Sequence, residues 1–155
     1  MLEDLYDADI LTWAEQQAAL LRRMARGEVV NEPLDWPHVI EEVADVGLAE
    51  LHACESNLRL AIVHLLKIRG WPEGPVEHWQ MEAGNFIAEA QSRFAPSMAQ
   101  RIDLTKLFAK ARHQVAPATI SGIPPKPLPE ICPFTLEDLL AERWDIPALL
   151  SKLGT

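Results

Sequence analysis

Residues 35–69 read DWPHVIEEVADVGLAELHACESNLRLAIVHLLKIR, and within them Ile40, Val43, Ala44, Gly47, Leu51, Cys54, Leu58, Ile62 and Leu65 recur at steps of three and four. That period places them on one stripe of an α-helix. Asp35 suits the N-cap, and Pro37 falls in the first turn, where its missing N–H costs nothing. Gly70, Trp71 and Pro72 follow Arg69 and end the pattern. Unbroken, the stretch from Trp36 to Arg69 would extend ~51 Å at 1.5 Å per residue, against a radius of gyration of ~15 Å for a compact globule of this length. The sequence therefore predicts either a kink, placed best at Gly47, or a helix that projects from its bundle.

Helical periods continue on both sides. An Asp cap at Asp7 or Asp9 precedes Ile10, Trp13, Ala14, Leu20, Leu21 and Met24, with Arg22, Arg23 and Arg26 before Gly27; acid at the start and base at the end both suit the helix dipole. A third helix is predicted over residues 76–94, carrying Trp79, Ala83, Phe86, Ile87, Ala90 and Phe94. A fourth is capped by Asp103 and stopped by Pro117, with a short helical turn between the two over residues 97–102. Half of the twelve prolines then fall between Pro117 and Pro133, which excludes helix and central strand and predicts an extended strap close to polyproline II. Thr135 and Asp138 resemble a capping box, and Ile131, Phe134, Leu139, Leu140 and Trp144 are apolar enough to require burial. The fold class read from these elements is all-α: a bundle of four to six helices with a proline-rich extended C-terminal strap. It forms a single domain, residues 1–155, with the bundle at 1–116, the strap at 117–134 and short docking helices at 135–155.

A chain of 155 residues with 48% hydrophobic and 24% charged residues buries enough surface to fold without metal or disulfide. Cys54 and Cys132 are too few for a disulfide framework and read as free thiols in a reducing compartment. The N-terminus is acidic without an apolar core, unlike a secretory or transit signal. The most apolar run, residues 58–68, is half the length of a membrane span and contains Arg59, His64 and Lys67. The expected location is cytoplasmic, with no membrane contact. A net charge of −9 opposes nucleic-acid binding, which depends on Lys and Arg. Residues 27–58 contain no Lys or Arg but include Glu28, Glu32, Asp35, Glu41, Glu42, Asp45, Glu50 and Glu55. If this asymmetry selects a partner, the partner is a basic protein.

Four stretches together resemble a known bacterial family. YDADILTWAEQQAALLRR near the start, LDWPHVIEEVADVG at the head of the long helix, NLRLAIVHLLKIRGWP at its end and LPEICPFTLEDLL near the C-terminus are similar, in the same order, to DUF29, whose function is unknown. The resemblance covers residues 4–140 and implies an all-helical fold. Some descriptions of the family place its members among toxin–antitoxin candidates, and the family supplies no catalytic residue to carry over.

Candidate chemistry rests on histidines and carboxylates at helical spacing. His38 and Glu42 are four apart, and His52 and Glu55 three apart, so each pair shares a face; His38, Glu42 and His52 are the metal-ligand candidates. No H-E-x-x-H or Glu-x-x-His is present, so no metal or other cofactor is expected. Glu41, Glu42 and His64 are the acid–base candidates, although a histidine inside AIVHLLKI is more often a hydrogen-bonded core residue. Cys54 falls on the apolar stripe, Cys132 lacks a basic neighbour to activate it, and the hydrolase-elbow, P-loop and dinucleotide motifs are absent. Trp71, Trp79 and Trp144 are the candidate interface anchors. The leading expectation is a protein-interaction module, within a toxin–antitoxin-like pair. The alternatives are a metal-dependent helical hydrolase or nuclease and a structural homo-oligomer. A homodimer is expected because Leu60, Val63 and Ile68 give the long helix a second apolar face to hide.

Overall fold

The computed structural model describes residues 2–154, with side chains from residue 5 onward. Among them are seven α-helices and no strand: α1 (Leu2–Ala8), α2 (Ile10–Ala25), α3 (Trp36–Gly70), α4 (Val76–Arg93), α5 (Leu104–Val115), α6 (Leu136–Leu140) and α7 (Ile146–Lys152), with a 3₁₀ turn at Pro96–Met98. The chain packs as two compact units, Met1–Leu48 and Ala49–Thr155. None of the helices is long and apolar enough to cross a membrane.

The capping chemistry sits where the sequence puts it. Asp9 accepts from Thr12 N–H ahead of α2, Asp103 accepts from Lys106 N–H ahead of α5, and Thr135 and Asp138 close a reciprocal box ahead of α6. Each side chain satisfies a donor that the first helical turn leaves open. A separate short helix, α1, precedes Asp9 and was not read from the sequence. The long helix runs from Trp36 to Gly70 without interruption, so Gly47 is not a break.

Within Met1–Leu48, α1 and α2 pack on each other and on the start of α3, with Trp13, Gln17 and Asp35 buried. Within Ala49–Thr155 the core is built on the second half of α3: Leu51, Cys54, Leu58, Ala61, Ile62 and Leu65 are all at or below 6% exposure. Ala83, Ile87 and Ala90 of α4 and Leu107, Phe108, Ala111 and Val115 of α5 join that core, as do Leu139, Ile146, Leu149 and Leu150 near the C-terminus. Val63 and Ile68, read as part of a second face needing a partner copy, are buried in this same unit, and Leu60 is half-buried.

After α5 the chain lacks helix or ladder until Thr135, apart from an isolated bridge between Ile120 and Ile123. Its backbone is nonetheless tied down: Lys126 N–H donates to Gly70 O, Trp71 Nε1 donates to Ile123 O, and Arg112 Nε donates to Pro129 O. At Gly70 an added Cβ would lie 2.8 Å from Pro125 Cβ, so only glycine allows this approach. Phe134 and Leu139 are buried as expected, and Leu140 and Trp144 are half-buried. Ile131, expected inside, stands 82% exposed, while Arg112 Nε holds the chain two residues before it through Pro129 O.

Candidate functional site

The polar groups of the first unit converge on Asp35. Trp13 Nε1 donates to Asp35 Oδ2 at 2.9 Å, and His38 Nδ1 lies 2.7 Å from the same oxygen. Asp35 N–H donates to Gln17 Oε1 at 2.8 Å, and Val39 N–H closes the first turn on Asp35 O. Asp35 therefore heads α3 and holds α2 against it at the same time. Burial by itself would raise the Asp35 carboxyl, but the bonds from His38 and Trp13 outweigh it and hold the group below the ordinary carboxylate value. The bond to Asp35 in turn raises His38 above its usual value, against the opposing effect of burial.

Tyr6 of α1 completes the cluster. Its ring stacks on the His38 ring at 3.8 Å and 14°, meets Trp13 edge-on at 4.9 Å, and its hydroxyl donates to Glu42 Oε1 at 2.6 Å. That bond to a carboxylate pushes the phenol up to about 12. One turn of α3 thus presents His38 and Glu42 to a single tyrosine, as their four-residue spacing allows. Two of the three metal-ligand candidates already have partners within the protein: His38 is committed to Asp35 and Glu42 to Tyr6. Among the described residues, potential ligands do not gather in threes. The orientation of His38 is that of an imidazole base positioned by a carboxylate, but no described hydroxyl or thiol bonds to it as a nucleophile would.

The other candidates fall elsewhere. Glu41 and Glu42 belong to the first unit and His64 to the second, about six turns further along α3. His64 Nδ1 is 2.8 Å from Leu60 O with its ring beside Phe86, and burial holds it below the usual histidine value. His52 borders a shallow hollow of about 170 Å³ with Glu55, Ser56, Arg59 and Lys110. Cys54 Sγ donates to Ala90 O, and burial pushes its thiol up, as it does at Cys132. Trp71 and Trp79 are buried in the second unit, and Trp144 packs its ring over Gly84, where a Cβ would be 2.7 Å from it.

The exposed tryptophan is Trp36, at 49%. It begins an apolar row that the structure leaves uncovered: Ile40 is 63% exposed, Val43 71% and Val46 68%. On α3 these residues, with Gly47, continue the arc that carries Leu51, Cys54 and Leu58. α2 adds Ile10, Leu11, Leu21 and Met24 to the exposed apolar surface of the unit. Scattered exposed apolar residues are ordinary, whereas a contiguous row at helical spacing marks an interaction surface. The sequence reading put Ile40, Val43 and Gly47 on the stripe, without Trp36 or Val46, and did not say which half of it would be covered.

The fold and surface define an all-helical protein with an uncovered amphipathic helix face and no assembled metal or nucleophile centre among the described residues. The model of the family described as "Domain of unknown function DUF29" matches residues 5–145, and the chain belongs to that family. It is similar to the crystal structure, at 1.45 Å, of an alpha-helical protein of unknown function from Rhodospirillum rubrum ATCC 11170. The two are 28% identical over 97% of this chain and 98% of that one, with a TM-score of 0.67. No functionally curated protein matches.

Proposed function

We propose that this protein is an interaction module whose first unit binds another protein through α3. The observation that supports the reading is the row of Trp36, Ile40, Val43 and Val46, four large apolar side chains at helical spacing left in water. Covering such side chains is worth roughly 1.5 to 3 kcal/mol each, so burying all four contributes roughly 6 to 12 kcal/mol towards an association that itself costs about 4 to 15 kcal/mol. In a toxin–antitoxin-like pair the second protein would be made beside this one and occupy the row at once. Residues 117–134 serve, in this reading, as a strap that secures the second unit and leaves α3's first half as the working face.

The metal-dependent alternative would need Glu42 and His38 to give up Tyr6 and Asp35. The test of the leading reading is site-specific photocrosslinking in the source cells. A benzophenone amino acid at Val43 is expected to yield one discrete adduct with another protein, and the same group at exposed Ile131 none. Adducts of equal yield from both positions, or none from Val43, would reject it.

A further inference from the structure

We propose that the second unit holds a binding site for a free apolar α-amino acid, in an open cavity of about 300 Å³ where the end of α3 meets the turn at Ser121 and Gly122. Every residue that lines it belongs to Ala49–Thr155, so the site does not depend on what covers the first half of α3. A volume at the lower end of the range for small-molecule sites suits one compact molecule and not a dinucleotide.

The apolar wall is built by the turn and by Trp71. Ser121 (φ 51°) and Gly122 (φ 77°) both take the left-handed conformation that a tight two-residue hairpin turn requires. Ile120 and Ile123 on either side of them exchange backbone hydrogen bonds at 3.0 Å. Residues paired in this way carry their side chains on the same face, and both isoleucines line the cavity. Trp71 lines it too, at 7% exposure and with its Nε1–H already given to Ile123 O, so the indole offers a ligand only apolar surface. Ile123 is left 60% exposed, and an apolar side chain entering beside it would cover it.

Charge decides the occupant. Glu73 and Lys126 line the same cavity, are both exposed, and form no ion pair with each other or with any other described residue. Lys67, the other lysine near Trp71, is set over the Trp79 ring at 5.6 Å and does not border this cavity. Two opposite charges at one mouth that do not meet leave a carboxylate to receive an ammonium and an ammonium to receive a carboxylate. An amino acid carries both groups on one carbon, with its side chain free to lie against Trp71, Ile120 and Ile123. A fatty acid would answer Lys126 alone, and an amine Glu73 alone. The frame around the two charges is held by backbone, since Lys126 N–H donates to Gly70 O and Gly74 N–H to Trp71 O. Either side chain can therefore be changed with the frame kept.

The experiment is calorimetric titration of the full-length protein at neutral pH in ~0.15 M salt. The probes are L-phenylalanine and three molecules that each lack one part of it: phenylpropanoate without the ammonium, phenylethylamine without the carboxylate, and glycine without the apolar side chain. One L-phenylalanine is expected to bind per chain, and each of the others at least ~5-fold more weakly. Glu73→Gln should weaken L-phenylalanine by a similar factor and leave phenylpropanoate unchanged. Lys126→Gln should weaken L-phenylalanine and leave phenylethylamine unchanged, a crossed pattern that general damage to the cavity would not give. Circular dichroism melting confirms that each variant is folded. No binding of L-phenylalanine at millimolar concentration, equal binding by any of the three truncated probes, or binding indifferent to both substitutions overturns the inference.

Discussion

His38 and Asp35 hold each other in opposite directions from their ordinary titration, and that has a readable pH signature. His38 is raised above 6.5 by its bond to Asp35. Folding therefore favours its protonated form, and the stabilisation is complete below about pH 6.5 and lost as pH climbs through the folded value. Asp35 is lowered below 3.8, so its contribution is present above that value and disappears as pH falls through the folded one. Asp35→Asn should bring the His38 midpoint back toward its ordinary value, followed by NMR titration of the ring, and His38→Gln should flatten the decline in melting temperature as pH rises above about 6.5. A midpoint unmoved by Asp35→Asn would show that the pairing is not what shifts it. Asp35 as the cap of α3 was legible in the sequence, since Asp before a helical period has a local reason to be there. Its partners were not: Trp13 and Gln17 lie 22 and 18 residues away, and Tyr6 meets Glu42 across 36. Local chemistry sets caps, whereas such pairings exist only after α1 and α2 have folded back onto α3.

Along α3 the same period does two different things, and substitution should separate them. Leu58 is fully buried, and Leu58→Ala should cost about 2 to 5 kcal/mol in urea unfolding, because transfer energy and a cavity are both lost. Val43→Ala, on the same stripe but exposed, should stay within about 0.5 kcal/mol. Equal losses would mean that the first half of the stripe is covered after all. The helix, its start near Asp35 and its end near Gly70 were legible because period, cap and breaker agree. Where its cover stops was not, since the covering helices α4 and α5 arrive from later in the chain. Gly84 is a similar case: the sequence offers no reason for a glycine inside α4 until Trp144 comes to rest on it. Gly84→Ala should displace that ring and destabilise by about 1 to 3 kcal/mol. At the C-terminal end the reasoning from apolar content succeeded for Phe134 and Leu139 and failed for Ile131, which stands exposed. Truncation after Pro117 should lower the melting temperature and promote aggregation, because it takes Phe134 from Phe108, Trp144 from Gly84 and Pro125 from Gly70; an unchanged melt would show that residues 118–154 do not contribute to the core.

For the molecule as a whole, the question is whether a protein with an apolar row in water pairs with itself. The apolar surface expected to drive a homodimer was Leu60, Val63 and Ile68, and the protein's own second unit already takes most of it. What is left is the row from Trp36 to Gly47, in a stretch, residues 27–58, without Lys or Arg and in a chain of net charge −9. Two copies brought together on a two-fold axis would bring two acidic chains together, and their repulsion is felt unless salt screens it. The Debye length falls from about 30 Å at 0.01 M salt to about 8 Å at 0.15 M and about 3 Å at 1 M. Self-association should therefore run opposite to ordinary ion pairing, weak at low salt and stronger at high salt, where screening also leaves apolar contact unopposed. Light scattering at micromolar concentration is expected to give a mass near 17.4 kDa at low salt, rising toward a dimer only as salt approaches 1 M, and Val43→Asp should abolish the rise. A dimer already complete at 0.01 M salt would show that net charge does not hold copies apart.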